Sequence, residues 1–353
     1  MRVENDALSN AVWATLLGGQ KDMTRLTHML GTGLSIAIIW GFGGCDKRSG
    51  HEVPDVSSKP LKLAFVTNNP SEFWKIAAAG VHRYEKESRV QVDIKMPPNG
   101  TTEEQNQILE TLAGQSYDAI AVSSIAASDQ VPVLDKVAMT TKLITFDSDA
   151  PQSARLLYIG TDNYQAGEVL GGEIVKLLPN GGNIAIFVGT FSAENAQQRL
   201  RGIEAVTAGH AIKIVDRRED NTDRAKARSN VEDIINAHRD LDLVVGLWAY
   251  NGPAIAAAIQ ALGKTGKVKA AVFDEEEETL DAVAKGVIAV TVVQKPFQFG
   301  YLSSQWMSEL ARDPKRAMAR IPADRAINTG VEVIDERNVA AFRESLSEMK
   351  KQP

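Results

Sequence analysis

Ten short apolar runs, arranged as two sets of five, leave this chain few architectures to adopt. The first set is KLAFVTN, VQVDIKM, YDAIAVSS, KLITFDSD and RLLYIGTD. The second is NIAIFVGT, IKIVDRRE, LDLVVGLWA, VKAAVFDEE and VIAVTVVQK. Helical stretches separate them, among them Thr102–Ala113, Tyr164–Leu178 and the alanine-rich Gly252–Leu262. Short apolar runs alternating with helices predict parallel sheets with crossover helices. The repeat of the pattern predicts two doubly wound α/β domains. A chain of 353 residues is long enough for two such cores.

Open α/β sheets bind ligands beyond the carboxyl ends of their strands. In the first half those ends are Asn68-Asn69-Pro70, Pro97–Gly100, Ser123-Ser124, Asp147-Ser148-Asp149 and Thr161-Asp162-Asn163. In the second half they are Phe191–Asn195, Glu219–Asp223, Trp248–Asn251, Asp274-Glu275 and Gln294-Lys295. The set is rich in Asn, Asp, Gln and aromatic residues. It holds no His, no Cys and no serine in a nucleophile elbow, so a catalytic reading is set aside. The glycines of GGNIAIFVGT precede a strand instead of joining strand to helix, so they do not form a dinucleotide phosphate loop. One cysteine and five scattered histidines give no metal-type cluster, and no cofactor or metal is expected. A net charge of −6 without a Lys/Arg stripe argues against a nucleic-acid partner.

The tips suit a ligand with vicinal hydroxyls and an apolar C–H face. Buried hydroxyls need partners, which planar carboxylates and amides supply, and a flat aromatic ring covers the apolar face. Asn69, Asp147, Asn251, Asp274 and Gln294 are the candidate polar partners. Phe73, Trp74 and Trp248 are candidate walls. Each has a plainer reading. Phe73 and Trp74, in the stretch NNPSEFWK, are either core residues of a first helical turn or walls of a cleft. Asp147 and Asp274 either bind ligand or cap the next helix or turn. Trp248 and Tyr250 are either walls or core. Glu275–Glu278 reads as a solvated first helical turn, where acidic residues suit the helix dipole.

From Lys62 to about Val339 the chain resembles the ribose/galactose-type periplasmic sugar-binding proteins of bacterial ABC transporters, of the type I periplasmic binding protein family. The resemblance rests on NNPSEFW after the first run, then ITFDSDAP, YIGTDNYQAG, NAQQRLRGI, VFDE and VTVVQKPFQFG, in that order and spacing. It implies two α/β lobes joined by a three-stranded hinge, with a sugar held in the cleft between them. It assigns ligand contacts to Asn69, Phe73 and Trp74, with Ser71-Glu72 added relative to the ribose type, and to Asp147 and Thr161. On the second lobe it assigns them to Asn195, Gln197 or Arg199, to Tyr250 and Asn251, to Asp274 and to Gln294. Thr222 or Asn221 stands where an aromatic wall is expected, and Ser148 where ribose receptors carry an arginine, which argues against ribose itself.

The N-terminus adds an address. Arg25 and His28 precede a short apolar stretch, Met29–Trp40, that is nearer a signal h-region than a membrane span. Gly43-Gly44-Cys45 resembles a lipoprotein cleavage box, with Phe42 departing from it, so Cys45 is the expected lipidation site. Met23 is a candidate start. Residues 1–44 are thus read as signal peptide and 45–60 as a tether. Residues 61–161 with 295–324 are read as the N-terminal lobe, and 162–294 with 325–353 as the C-terminal lobe. The expected protein is a monomeric, lipid-anchored receptor of the cell envelope. It delivers a monosaccharide or polyol to ABC permease subunits. Two other readings share the fold: a receptor for a furanone-type quorum signal and a LacI-like regulatory module. The second lacks its basic helix-turn-helix, since a signal-like segment occupies that place.

Overall fold

The structure is a computed structural model and describes residues 60–69 and 73–350. The predicted signal segment, Cys45 and nearly all of the tether lie outside the described residues, as do Pro70, Ser71 and Glu72.

All ten apolar runs are strands. They are β1 (Leu63–Val66), β2 (Val92–Lys95), β3 (Ala119–Val122), β4 (Lys142–Phe146), β5 (Tyr158–Gly160), β6 (Gly182–Val188), β7 (Ile212–Glu219), β8 (Leu241–Gly246), β9 (Lys269–Phe273) and β10 (Val290–Val293). Two more follow, β11 (Ala326–Asn328) and β12 (Glu332–Ile334). The helices are α1 (Phe73–Ser88), α2 (Thr102–Gly114), α3 (Ala127–Ala138), α4 (Asn163–Leu177), α5 (Glu194–Thr207) and α6 (Arg224–Ala237). They continue as α7 (Asn251–Ala261), α8 (Glu277–Ala284), α9 (Pro296–Arg312), α10 (Pro314–Met318) and α11 (Val339–Lys350).

The strands form two six-stranded sheets, ordered β11-β5-β4-β3-β1-β2 and β12-β10-β9-β8-β6-β7. The two orders are the same winding written twice. Central strands are covered on both faces, which is why they read as unbroken apolar runs. Every residue of β1 and β3 is buried, and in β4 and β9 only the leading lysine is exposed. β2 and β7 lie at edges and carry the polar positions, as in IKIVDRRE. Winding reverses at β1/β3 in one sheet and at β6/β8 in the other, and all four pairings around those points are parallel.

The helices take local signals from the sequence. Thr101 caps α2 by accepting from the Glu104 amide at 3.3 Å, while the Glu104 carboxylate accepts from the Asn99 amide at 2.8 Å. Asp162 caps α4 through the Gln165 amide at 3.0 Å, and Asp223 caps α6.

β11 and β12 are three residues each, too short to carry a hydrophobic signature, and neither is expected from sequence. β11 pairs in parallel with β5, and β12 antiparallel with β10. The chain therefore crosses between the sheets after β5, after β10 and between Asn328 and Glu332. The third crossing lies beyond the boundary at 324/325 expected from sequence, because Ala326–Asn328 completes the first sheet. Helix α9, which follows the second crossing, packs on β1, β3, β4 and β5 and against α1.

Candidate ligand-binding site

The site is built from the carboxyl ends of matching strands in the two sheets. Asp147 follows β4 and Asp274 follows β9, which hold the same rank in the repeated order. Both residues sit in the left-handed region, at φ 54° and 69°. Aspartate is among the few side chains that tolerate it. The surroundings fix both in place. The Asp147 amide donates to the Ile159 carbonyl at 3.1 Å, and the Tyr158 hydroxyl donates to the Asp147 carbonyl at 2.9 Å. The Asp274 amide donates to the Val292 carbonyl at 2.9 Å, and the Thr291 hydroxyl donates to the Asp274 carbonyl at 2.7 Å. Neither aspartate caps a helix: no helix begins after Asp147, and Glu276 occupies the cap position of α8.

The electrostatics tie the two sheets together. Burial pushes the Asp147 carboxyl up to about 6, opposed by the Ser123 hydroxyl and by Arg199 and reinforced by Asp274. Burial also raises Asp274, opposed first by Arg199 and then by the Gln294 amide. Arg199 lies on α5 and is 2% exposed. Its Nε donates to Asn163 Oδ1 at 2.9 Å, its Nη1 donates to the Leu247 carbonyl at 2.6 Å, and that Nη1 stands 3.7 Å from Asp274 Oδ2. Its guanidinium also lies 4.3 Å from the centre of the Phe273 ring, in cation–π range. The α4–α5 crossing makes this placement possible. A Cβ on Gly167 would come within 2.2 Å of the Arg199 carbonyl oxygen, so only glycine lets the helices approach so closely.

On the first sheet, Ser123 Oγ donates to Asp147 Oδ2 at 2.8 Å and accepts from Asn68 Nδ2 at 3.1 Å. Asn69 accepts from the Trp74 indole at 3.2 Å and donates to Asn68 Oδ1 at 2.8 Å. On the second sheet, Gln294 Nε2 donates to Asp274 Oδ1 at 2.9 Å. Trp248 Nε1 donates to Asn195 Oδ1 at 3.2 Å, and its ring meets Tyr250 edge-on at 6.4 Å. The Tyr250 hydroxyl donates to Asp220, which is 1% exposed and also accepts from the Thr222 amide at 2.9 Å. Burial raises the Asp220 carboxyl against these bonds.

Residues 63–315 match the family described as periplasmic binding protein domain. The chain belongs to that family. Its curated relatives are binding proteins and not enzymes. The ribose import binding protein RbsB of Bacillus subtilis is 23% identical over 250 residues, covering 70% of this chain and 80% of that one. The D-allose-binding periplasmic protein of Escherichia coli is 26% identical over 270 residues, covering 73% and 85%. A solute-binding protein from Burkholderia graminis, solved in complex with D-arabinose, superposes with a TM-score of 0.74 at 28% identity, over 80% of this chain and 98% of that one.

Within this periplasmic binding protein, the residues singled out from sequence divide. Arg199, Asp274 and Gln294 are in direct contact, and Asp147 is linked to Arg199 and Asp274 electrostatically. Thr161 sits beside it: its carbonyl accepts from the Tyr158 hydroxyl at 3.1 Å, and its own side chain is buried. Trp74 is 2% exposed and packs edge-on against Phe146 at 5.7 Å, so it is core, and it positions Asn69 instead of forming a wall. Phe73, only partly buried, meets Trp74 edge-on at 4.9 Å and is the member of the pair with an open face. Asn251 is 1% exposed and turned inward, accepting from the Trp248 amide at 3.0 Å and donating to Asp220 at 3.3 Å. Asn195 is taken by Trp248, and Gln197, on α5, donates to the Ser192 carbonyl in the loop before that helix, at 3.4 Å. Thr222 is exposed, and its hydroxyl donates to the Asn221 carbonyl at 2.6 Å. Ser123, Asn163 and Asp220 stand in strand ends named from sequence but are not singled out there as contacts, and Tyr158, at the start of β5, is not named there as a candidate. Each stands at or next to a strand end, but a hydroxyl or amide there carries no signal until its partner is known.

Proposed function

We propose that this protein is the extracytoplasmic substrate-binding component of an ABC transporter. It captures a monosaccharide or related polyol between its two lobes, residues of the first sheet on one side and of the second on the other. The observation that carries the reading is the pair Asp147 and Asp274, each held in a left-handed turn at the carboxyl end of an equivalent strand, with Arg199 3.7 Å from Asp274 and opposing the rise of both carboxyls. Rigid acceptors beside a buried guanidinium suit hydroxyls that both donate and accept. Membership in a family of binding proteins, and relatives named for ribose, allose and galactofuranose, support the same conclusion. Among the described residues no helix is long and apolar enough to cross a membrane, and no group of acidic, His or Cys residues is placed to hold a metal ion.

A thermal-shift screen of residues 46–353 against pentoses, hexoses, deoxysugars, amino sugars and polyols tests this. A ligand at 100 times its Kd stabilises by about 2.7 kcal/mol, a shift that is readily measured. Silence across the whole panel would overturn the sugar-receptor reading.

Membrane attachment through Cys45 completes the proposal. Cys45→Ser is expected to leave an uncleaved precursor or to release the protein into the soluble fraction. Unchanged processing together with unchanged membrane partition would refute the anchor.

A further inference from the structure

We propose that the cleft is built for a sugar or polyol carrying a protonated amine, an inference that rests on the sugar-receptor reading above and narrows its ligand class. The reason is a charge imbalance. Two carboxylates, Asp147 and Asp274, stand at the carboxyl ends of equivalent strands in the two sheets, and among the described residues Arg199 is the cation that acts on both, its Nη1 3.7 Å from Asp274 Oδ2. The neighbouring guanidinium groups are engaged elsewhere. Arg155 grips Asp149 with contacts of 2.7 and 2.6 Å, and Arg224 grips Glu276 at 3.0 and 2.7 Å.

Arg199 is itself shared, bonding to Asn163 and to the Leu247 carbonyl while standing 3.7 Å from Asp274. Asp147 is met by the Ser123 hydroxyl at 2.8 Å, and no ion pair forms to it among the described residues. A third acid, Asp220, is buried on the second sheet behind Tyr250. Closing the cleft on a neutral polyol removes water while leaving two carboxylates against one guanidinium, and repulsion grows as the effective dielectric falls. An ammonium group supplies the missing charge. It also donates three N–H bonds to oxygens that can only accept, and such charge-assisted bonds are roughly twice as strong as neutral ones. The Thr161 carbonyl accepts from both the Tyr158 hydroxyl and the Asn163 side-chain amide, which leaves the Thr161 hydroxyl outside those bonds. Thr161 is 2% exposed, and among the described residues its hydroxyl has no hydrogen-bond partner, so it can serve a neighbouring ligand hydroxyl.

The test is calorimetric titration at pH 7 with D-glucosamine and D-galactosamine. Their neutral parents and their N-acetyl derivatives, which keep the ring but lose the charge, serve as comparisons. The amines are expected to bind at least about tenfold more tightly than either neutral series. Asp147→Asn, checked for an intact fold by circular dichroism, is expected to shrink that ratio toward one. Neutral sugars binding as tightly as the amines would overturn the need for a cation and leave the sugar-receptor reading standing. Preference for the amines that survives Asp147→Asn unchanged would overturn the role given to Asp147. No binding by any of the six or by the wider panel would remove the receptor reading and this inference with it.

Discussion

Asp147 shows at the scale of one residue how a candidate binding group works against stability. Its carboxyl is raised from 3.8 to about 6, chiefly by burial, so the folded chain holds the proton more tightly than the unfolded chain. The protonated form's contribution is fully present below the unfolded value of 3.8 and is lost as pH rises toward 6. Asp147→Asn removes that loss and keeps the left-handed turn, since Asn tolerates φ above zero as well as Asp does. The ligand-free variant is therefore expected to match wild type near pH 4. It should gain stability as pH rises, by about 2–3 kcal/mol above pH 6. Denaturant melts at several pH values measure this. The same change, and Asp274→Asn with it, exchanges an acceptor for a donor and is expected to weaken ligand binding by roughly tenfold to a hundredfold. Asn variants with wild-type affinity would place the site elsewhere.

Elements decide where Arg199 sits. Helices α4 and α5 cross at Gly167, where an added Cβ would lie 2.2 Å from the Arg199 carbonyl oxygen. Gly167→Ala is expected to push α5 outward, weaken ligand binding and lower Tm. Gly172 lies further along the same helix and has nothing within 4 Å of the position of its Cβ. Gly172→Ala is expected to raise stability by about 0.5–1 kcal/mol, because alanine loses less backbone entropy in a helix, with affinity unchanged. Equal effects from the two substitutions in melting and titration experiments would show that the crossing does not position the arginine.

Across the whole molecule, three strand connections join the two sheets, and the candidate ligand groups lie on both. A ligand held from both sides favours the conformation in which both sets of contacts form, by as much as its affinities for the two states differ. The radius of gyration from small-angle scattering is expected to fall on saturation with the ligand found by screening. An unchanged profile would count against closure. α11 bears on the same motion. It follows β12 of the second sheet and packs on α8, yet it also touches α1 over the first sheet. Arg343 ties it to Glu277 and to Asp281, the latter at 2.5 Å.

Sequence was enough for the two-sheet architecture and for the strand ends that matter. Strands buried on both faces must be apolar throughout, and a polar group placed directly after such a run lies at a sheet's carboxyl edge. Asp147, Asp274 and Gln294 could be placed at those edges for that reason, and Arg199 was proposed through the family resemblance of its helix. Which side chains face outward was settled by packing in three dimensions. Trp74 and Asn251 occupy positions that read as contacts, but one is drawn into the core against Phe146 and the other is held by Asp220 and the Trp248 amide. Phe146 and Asp220 lie tens of residues from the side chains they hold, so no local pattern encodes the choice. β11 escaped notice for a related reason. Three residues are too few for a hydrophobic period to show, and this strand exists because β5 offers it an edge.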